Sequence, residues 1–270
     1  PLDRLGSLVT KAVTLEPRLG NPPPRVTETG AGMLNSIGLA NVGLERFRRE
    51  KLPWLRDHLR RARVFVNVAG RTVEEFVRVV QGLDDADGFL GYELDASCPN
   101  VERGAAFATD EGLLAELVAS ARRVTRRPVL VKLSPLVPDV GRFAAICEEQ
   151  GADGVSCINT FPGLVIDVET RRPVLGNVTG GVSGPAILPM ALYAVWTAAR
   201  RVRIPVVGVG GIGSPADAVQ HLLAGARLVQ IGTALFVDPD IARATVEGIA
   251  EYARARGLAR IADLVGALET

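Results

Sequence analysis

Short β-branched apolar runs recur along this chain, and helical patterns fill the gaps between them. That alternation constrains the fold more than any other feature. The runs are Leu5 to Lys11, Val64 to Val68, Phe89 to Leu94, Val129 to Leu133, Gly154 to Ile158, Val206 to Val209 and Leu228 to Ile231. Between several of them, Val73 to Leu83, Asp110 to Val124, Val140 to Gln150, Ala186 to Val202 and Pro215 to Ala224 space apolar residues three and four apart. Strands joined by helical crossovers run parallel. Runs that are continuously apolar, not alternating, fit a sheet buried on both faces.

Seven such strands fall one short of the common eight-stranded barrel, and the chain starts at Pro1 with no initiator methionine. The expected fold is therefore an α/β, (β/α)8 TIM barrel that lacks its N-terminal strand segment, a truncated single domain over residues 1–270. An open doubly wound sheet shares the pattern, but no G-x-G-x-x-G opens the first βα turn. Two connections, 12–62 and 159–204, exceed what a crossover needs and read as long loop insertions over the barrel mouth. The first carries Asn21-Pro-Pro-Pro24 and a helical pattern from Leu44 to Leu59. The second reads as a hairpin, Val165 to Val168 against Pro173 to Gly176.

Composition narrows the partners. With 47% apolar residues the chain can bury a sizeable core, and a net charge of +1 leaves no electrostatic footprint for nucleic acid. No apolar run reaches the roughly 20 residues of a membrane span and no signal peptide is visible, so a cytoplasmic protein is expected. The three cysteines, Cys98, Cys147 and Cys157, form no C-x-x-C pair, so neither metal nor disulfide is expected.

Three features carry chemistry. Cys98 follows a strand pattern and precedes Pro99, which cannot continue a ladder, so the thiol reads as an active-site edge; a buried structural cysteine is the alternative. Of 31 cationic residues only Lys11, Lys51 and Lys132 are lysine, and Lys11 and Lys132 each close an apolar run. Gly208-Val-Gly210-Gly211 and Gly232-Thr233 end the last two strands, where bare backbone N–H groups suit a phosphate, and Ser214-Pro215 reads as a helix cap. Strand-end lysines beside a phosphate grip suit flavin mononucleotide. Pyridoxal phosphate is the rival through a lysine Schiff base, but it leaves Cys98 without a task. Asn35, Asn100 and Asn159, at loop starts, offer the paired donors and acceptors a planar heterocycle needs.

These segments resemble class 1 dihydroorotate dehydrogenases, most closely class 1B, across essentially the whole chain. The match runs through Lys11-Ala-Val-Thr-Leu-Glu-Pro-Arg18, Met33-Leu-Asn-Ser-Ile-Gly-Leu39, Ser97-Cys-Pro-Asn-Val101, Val131-Lys-Leu-Ser-Pro135, Ile158-Asn-Thr160 and Thr179-Gly-Gly-Val-Ser-Gly-Pro185. The resemblance implies FMN-dependent oxidation of dihydroorotate to orotate in pyrimidine biosynthesis. Cys98 would be the general base, with Lys11 also in the catalytic set. Lys11, Asn35, Ile37, Gly38, Leu39, Asn100, Asn159 and Thr160 would bind substrate. Lys11, Ala12, Asp95, Lys132, Ile158, Gly184, Gly210, Gly211, Gly232 and Thr233 would bind the cofactor. It also implies a homodimer and, for class 1B, a heterotetramer with an FAD and [2Fe-2S] electron-transfer subunit. Asp95 departs from the family, which usually has asparagine there; reduction of uracil or thymine, as in dihydropyrimidine dehydrogenase, is the alternative activity.

Overall fold

The computed structural model describes residues 2–97, 107 and 109–269. In chain order the strands are β1 (Ser7–Val9), β2 (Val26–Thr29), β3 (Gly32–Asn35), β4 (Arg63–Val68), β5 (Gly91–Leu94), β6 (Val129–Lys132), β7 (Gly154–Cys157), β8 (Phe161–Gly163), β9 (Ile166–Asp167), β10 (Arg172–Pro173), β11 (Gly180–Ser183), β12 (Val206–Val209) and β13 (Leu228–Gln230). The α-helices are α1 (Gly43–Arg46), α2 (Leu52–His58), α3 (Val73–Asp84), α4 (Glu111–Val124), α5 (Val140–Glu149), α6 (Leu188–Ala199), α7 (Pro215–Leu223) and α8 (Ile241–Ala255). A π-helical turn, Phe47–Lys51, joins α1 to α2. All seven expected strands and all five expected helices are present, with ends trimmed by a few residues.

The described residues fall into two compact units. The first comprises the residues up to Leu19, Leu39–Ser156 and Arg201–Ile204; the second comprises Gly20–Gly38, Cys157–Arg200 and the residues from Pro205 onward. In the first unit β1, β4, β5, β6 and β7 pair in parallel in that order. Val66, Val68, Tyr92, Leu94, Val129 and Val131 are at 0% exposure on one face of this sheet. That face meets the helices: the Tyr92 hydroxyl donates to the Val80 carbonyl of α3 at 3.2 Å. The helices start where side chains satisfy their first N–H groups. Thr72, Asp110 and Asp139 each accept from the residue three positions on, a contact worth about 1 kcal/mol per cap.

In the second unit β12 pairs in parallel with β13. A four-stranded antiparallel sheet, ordered β2-β3-β11-β8, stands beside a two-stranded β9–β10 ribbon. The ribbon is the expected hairpin. The antiparallel sheet was not expected, and it corrects two readings. Residues 12–62 and 159–204 are not simply loops, because both contribute strands to it. Asn35 does not start a loop: it ends β3, opposite Gly181 of β11. Strands of three or four residues rich in glycine, threonine and glutamate carry little propensity of their own, so only pairing with each other makes them strands.

Candidate functional site

Strand register decides which side chains share a face, because side chains alternate along a strand. Asn67 pairs with Glu93, Glu93 with Leu130, and Lys132 with Ser156. Asn67, Glu93, Lys132 and Ser156 therefore lie on one face of the first unit's sheet, opposite the helix-covered face that holds Tyr92. Asp95 follows two residues after Glu93 and keeps the same parity, its N–H donating to the Val68 carbonyl at 2.8 Å.

Glu93 is buried, at 1% exposure. Asn67 Nδ2 donates to its Oε1 at 2.9 Å and Ser156 Oγ to its Oε2 at 2.8 Å. Both oxygens accept, which is how a carboxylate is satisfied away from water. One buried side chain thus ties β4, β5 and β7 together beneath the end of β6 that carries Lys132. Neither Asn67, Glu93 nor Ser156 was anticipated from sequence. The available signal was a polar residue in the middle of an otherwise apolar run, as in Val64-Phe-Val-Asn-Val68.

Past the end of β5, the Ser97 hydroxyl donates to Asp95 Oδ1 at 2.7 Å. Cys98 and Asn100 lie outside the described residues. The other two cysteines are buried, and burial pushes the Cys157 thiol up to about 12, so it stays protonated and unreactive at neutral pH.

Lys11 is exposed just beyond β1. It lines a cavity of about 770 Å³ together with Thr10, Ala12, Asn41, Lys51 and Trp54. Leu39 has φ +54°, in the left-handed region. Its carbonyl accepts from Asn41 Nδ2 at 2.7 Å, and Asn41 Oδ1 in turn accepts from the Gly43 N–H at 2.8 Å. That network holds a conformation that leucine seldom adopts.

In the second unit the expected glycines gather. Gly184, Gly210 and Gly211 have φ of +92°, +123° and +76°. A Cβ on Gly211 would lie 2.4 Å from the Leu188 Cβ, and one on Gly184 would lie 3.5 Å from the Thr233 Cγ2. Thr233 Oγ1 donates to Ser183 Oγ at 2.8 Å, which joins the Gly232-Thr233 turn to the end of β11. Ile158 stands beside this loop, its N–H donating to the Val209 carbonyl at 2.9 Å. Ser214 caps α7 as expected, accepting from the Asp217 N–H at 3.3 Å.

Asn35, Thr160 and Gly181 form a second group in this unit. Asn35 Nδ2 donates to the Gly181 carbonyl at 3.3 Å, a Cβ on Gly181 would strike Thr160 Oγ1, and the Thr160 N–H donates to Asn159 Oδ1 at 2.7 Å. Ile37 and Gly38 lie against Asn21, whose N–H donates to the Ile37 carbonyl at 3.1 Å. In the second unit, then, the residues singled out from sequence fall into two groups, one around Gly184, Gly210, Gly211 and Thr233 and one around Asn35 and Thr160; in the first unit Lys11 lines the cavity beside β1 while Lys132 ends β6.

A family model described as dihydroorotate dehydrogenase matches residues 1–252. The chain is 47% identical over 273 residues to the catalytic subunit of dihydroorotate dehydrogenase B (NAD(+)) from Pelobacter propionicus, covering 99% of this chain and 88% of the relative. It is 48% identical over 269 residues to the corresponding subunit from Trichlorobacter lovleyi, with the same coverage. A relative from Solibacter usitatus, 49% identical over 269 residues, is provisionally named a dihydroorotate dehydrogenase A (fumarate). Among solved structures, DHODH from Eimeria tenella in complex with ferulenol superposes with a TM-score of 0.79 at 21% identity, covering 95% of this chain and 77% of that one.

The class so defined is an oxidoreductase of the α/β-barrel fold. The chain belongs to the dihydroorotate dehydrogenase family. No helix among the described residues is long and apolar enough to cross a membrane.

Proposed function

We propose that the chain oxidises dihydroorotate to orotate with FMN as its cofactor and Cys98 as general base. The observation that carries this reading is near-full-length identity of 47% to a dihydroorotate dehydrogenase B catalytic subunit. Those relatives' names also favour dihydroorotate over uracil or thymine as substrate.

The second unit's loops fit a phosphate. Gly210 and Gly211 take backbone conformations a side chain would strain, and the Gly211 N–H has no acceptor among the described residues. Gly184, Gly232 and Thr233 complete this grip. Lys132, at the end of β6, and Lys11, beyond β1, supply positive charge toward the ring and the substrate carboxylate. When bound, FMN supplies the two-electron acceptor for the hydride that leaves C6 of the substrate.

The protein's own part is to hold and deprotonate the substrate. Cys98 as thiolate takes the C5 proton, a role worth about 10²–10⁴-fold in rate. Asn35, Asn100, Asn159 and Thr160, with the backbone of Gly38 and Leu39, hold the pyrimidine and its carboxylate. Glu93 fixes the strand ends on either side of Lys132. Asp95 holds the Ser97 hydroxyl one residue before the base. A partner subunit carrying FAD and an iron–sulfur cluster takes the electrons onward to NAD⁺, as in class 1B.

Anaerobic mixing of the flavin-loaded protein with dihydroorotate tests the reading. Bleaching of the visible flavin absorbance is expected, and Cys98→Ala should abolish it at neutral pH. Bound flavin that stays oxidised with dihydroorotate would overturn the substrate assignment, and bleaching that survives Cys98→Ala would overturn the base.

A further inference from the structure

His221 of α7 is fully buried, at 0% exposure, and the reaction above does not use it. Its Nε2 lies 3.0 Å from the Gly210 carbonyl oxygen. A carbonyl only accepts, so Nε2 carries the proton and donates. The other ring nitrogen, Nδ1, is buried without a partner. It faces β12, where a Cβ added to Gly208 would lie 2.5 Å from it. A second proton on Nδ1 would be a buried donor with no acceptor. Burial accordingly lowers the pKa of His221, against smaller opposing pulls from the Gly210 hydrogen bond and the Asp217 carboxylate. The imidazole is therefore a neutral ring with one fixed donor, and that donor holds one carbonyl.

That carbonyl belongs to the peptide between Gly210 and Gly211. In a trans peptide the C=O and the following N–H point in opposite directions. Tethering the Gly210 carbonyl toward α7 therefore aims the Gly211 N–H away from α7. Two glycines in succession leave this peptide plane with soft torsions on both sides. Nothing in their own side chains restrains it. The N–H so aimed has no acceptor among the described residues.

We propose that His221 is a positioning residue for the phosphate grip: its Nε2–H fixes the Gly210–Gly211 peptide so that the Gly211 N–H is presented to the phosphate dianion of the cofactor. This rests on the reading of Gly210 and Gly211 given under Proposed function. Gly208 is the matching half of the device, because any side chain there would displace the ring.

The test compares FMN with riboflavin, which lacks only the phosphate, by fluorescence titration of the flavin-free full chain. His221→Met keeps the length of the side chain and removes the donor; His221→Gln restores an N–H at similar reach. His221→Met should weaken FMN binding about tenfold, the size expected for one hydrogen bond to a charged group, and leave riboflavin binding unchanged. His221→Gln should recover most of the loss. Unchanged FMN affinity in His221→Met, or equal losses for Met and Gln, would reduce His221 to a space-filler and overturn the proposal. A wild-type chain that binds riboflavin as tightly as FMN would overturn the phosphate reading itself. Should His221→Met not fold, ¹⁵N resonances of the wild-type imidazole decide the matter: the Nε2–H tautomer is expected, and Nδ1–H overturns the tether.

Discussion

In the first unit a parallel sheet gathers polar side chains on one face: Glu93 receives Asn67 and Ser156, Lys132 ends β6 on that face, and Asp95 follows the end of neighbouring β5. In the second unit side chains are removed, and Gly184, Gly210 and Gly211 expose bare backbone at positive φ. The difference follows from what each unit is proposed to bind. A heterocycle and a proton in transfer need groups of graded charge and basicity, which only side chains provide. A phosphate dianion needs close N–H donors, and any Cβ would hold it off. The two kinds of site should also fail differently. Damage to the sheet face should show first as lost stability, and damage to the glycine loop first as lost cofactor.

The largest expected effect comes from removing Glu93. Glu93→Ala strands two buried donors and leaves a void, which should cost about 2–5 kcal/mol of stability in urea denaturation; a loss below about 1 kcal/mol would mean that the three-strand tie is weak. Gly211→Ala comes next. Strain at φ +76° should cost about 1–3 kcal/mol, and FMN affinity should fall further than riboflavin affinity, since the close Leu188 contact pushes the loop off its phosphate position. If both ligands weaken equally, the contrast drawn between the units fails there.

Asp95→Asn sharpens the comparison on the sheet face. A carboxylate near the base and an anionic substrate opposes both, so the asparagine variant should raise kcat/KM for dihydroorotate roughly tenfold. A fall instead would show that the carboxylate's hold on Ser97 matters more than its charge. The smallest effect concerns pH. Because burial lowers the pKa of His221 below its ordinary 6.5, the unfolded chain binds a proton that the folded chain refuses. This group's contribution is intact above about pH 6.5 and is lost as pH falls through 6.5 toward the lowered folded value. Wild type should therefore lose more stability over that window than His221→Gln, as thermal melts at stepped pH would show.

The parallel strands and crossover helices were legible in the sequence because continuous apolar runs and helical spacing each leave a local record, as did the cap at Ser214. The β2–β3–β11–β8 sheet left none. Gly180-Gly-Val-Ser183 has no strand character until β3 and β8 flank it. The glycine loop could be located from its place at the end of a strand pattern, where positive φ at Gly210 and Gly211 is what the structure adds. Its dependence on His221 could not, because a histidine on an amphipathic helix reads the same whether it fills space or holds a carbonyl across to the next element. Glu93 stood in plain view within Gly91-Tyr-Glu-Leu94. Its role appeared only when register placed Asn67 and Ser156 within reach.

The lysine distribution makes the cavity beside β1 its own reporter. Acylating reagents attack primary amines and spare guanidinium groups, and this chain carries only three lysines among 31 cationic side chains. Two of them, Lys11 and Lys51, line that single cavity. A brief pulse of an acylating label, read by mass spectrometry, would therefore footprint this region almost without background. Protection of Lys11 relative to Lys51 as flavin or substrate is added would map occupancy at the residue where the sequence first placed it.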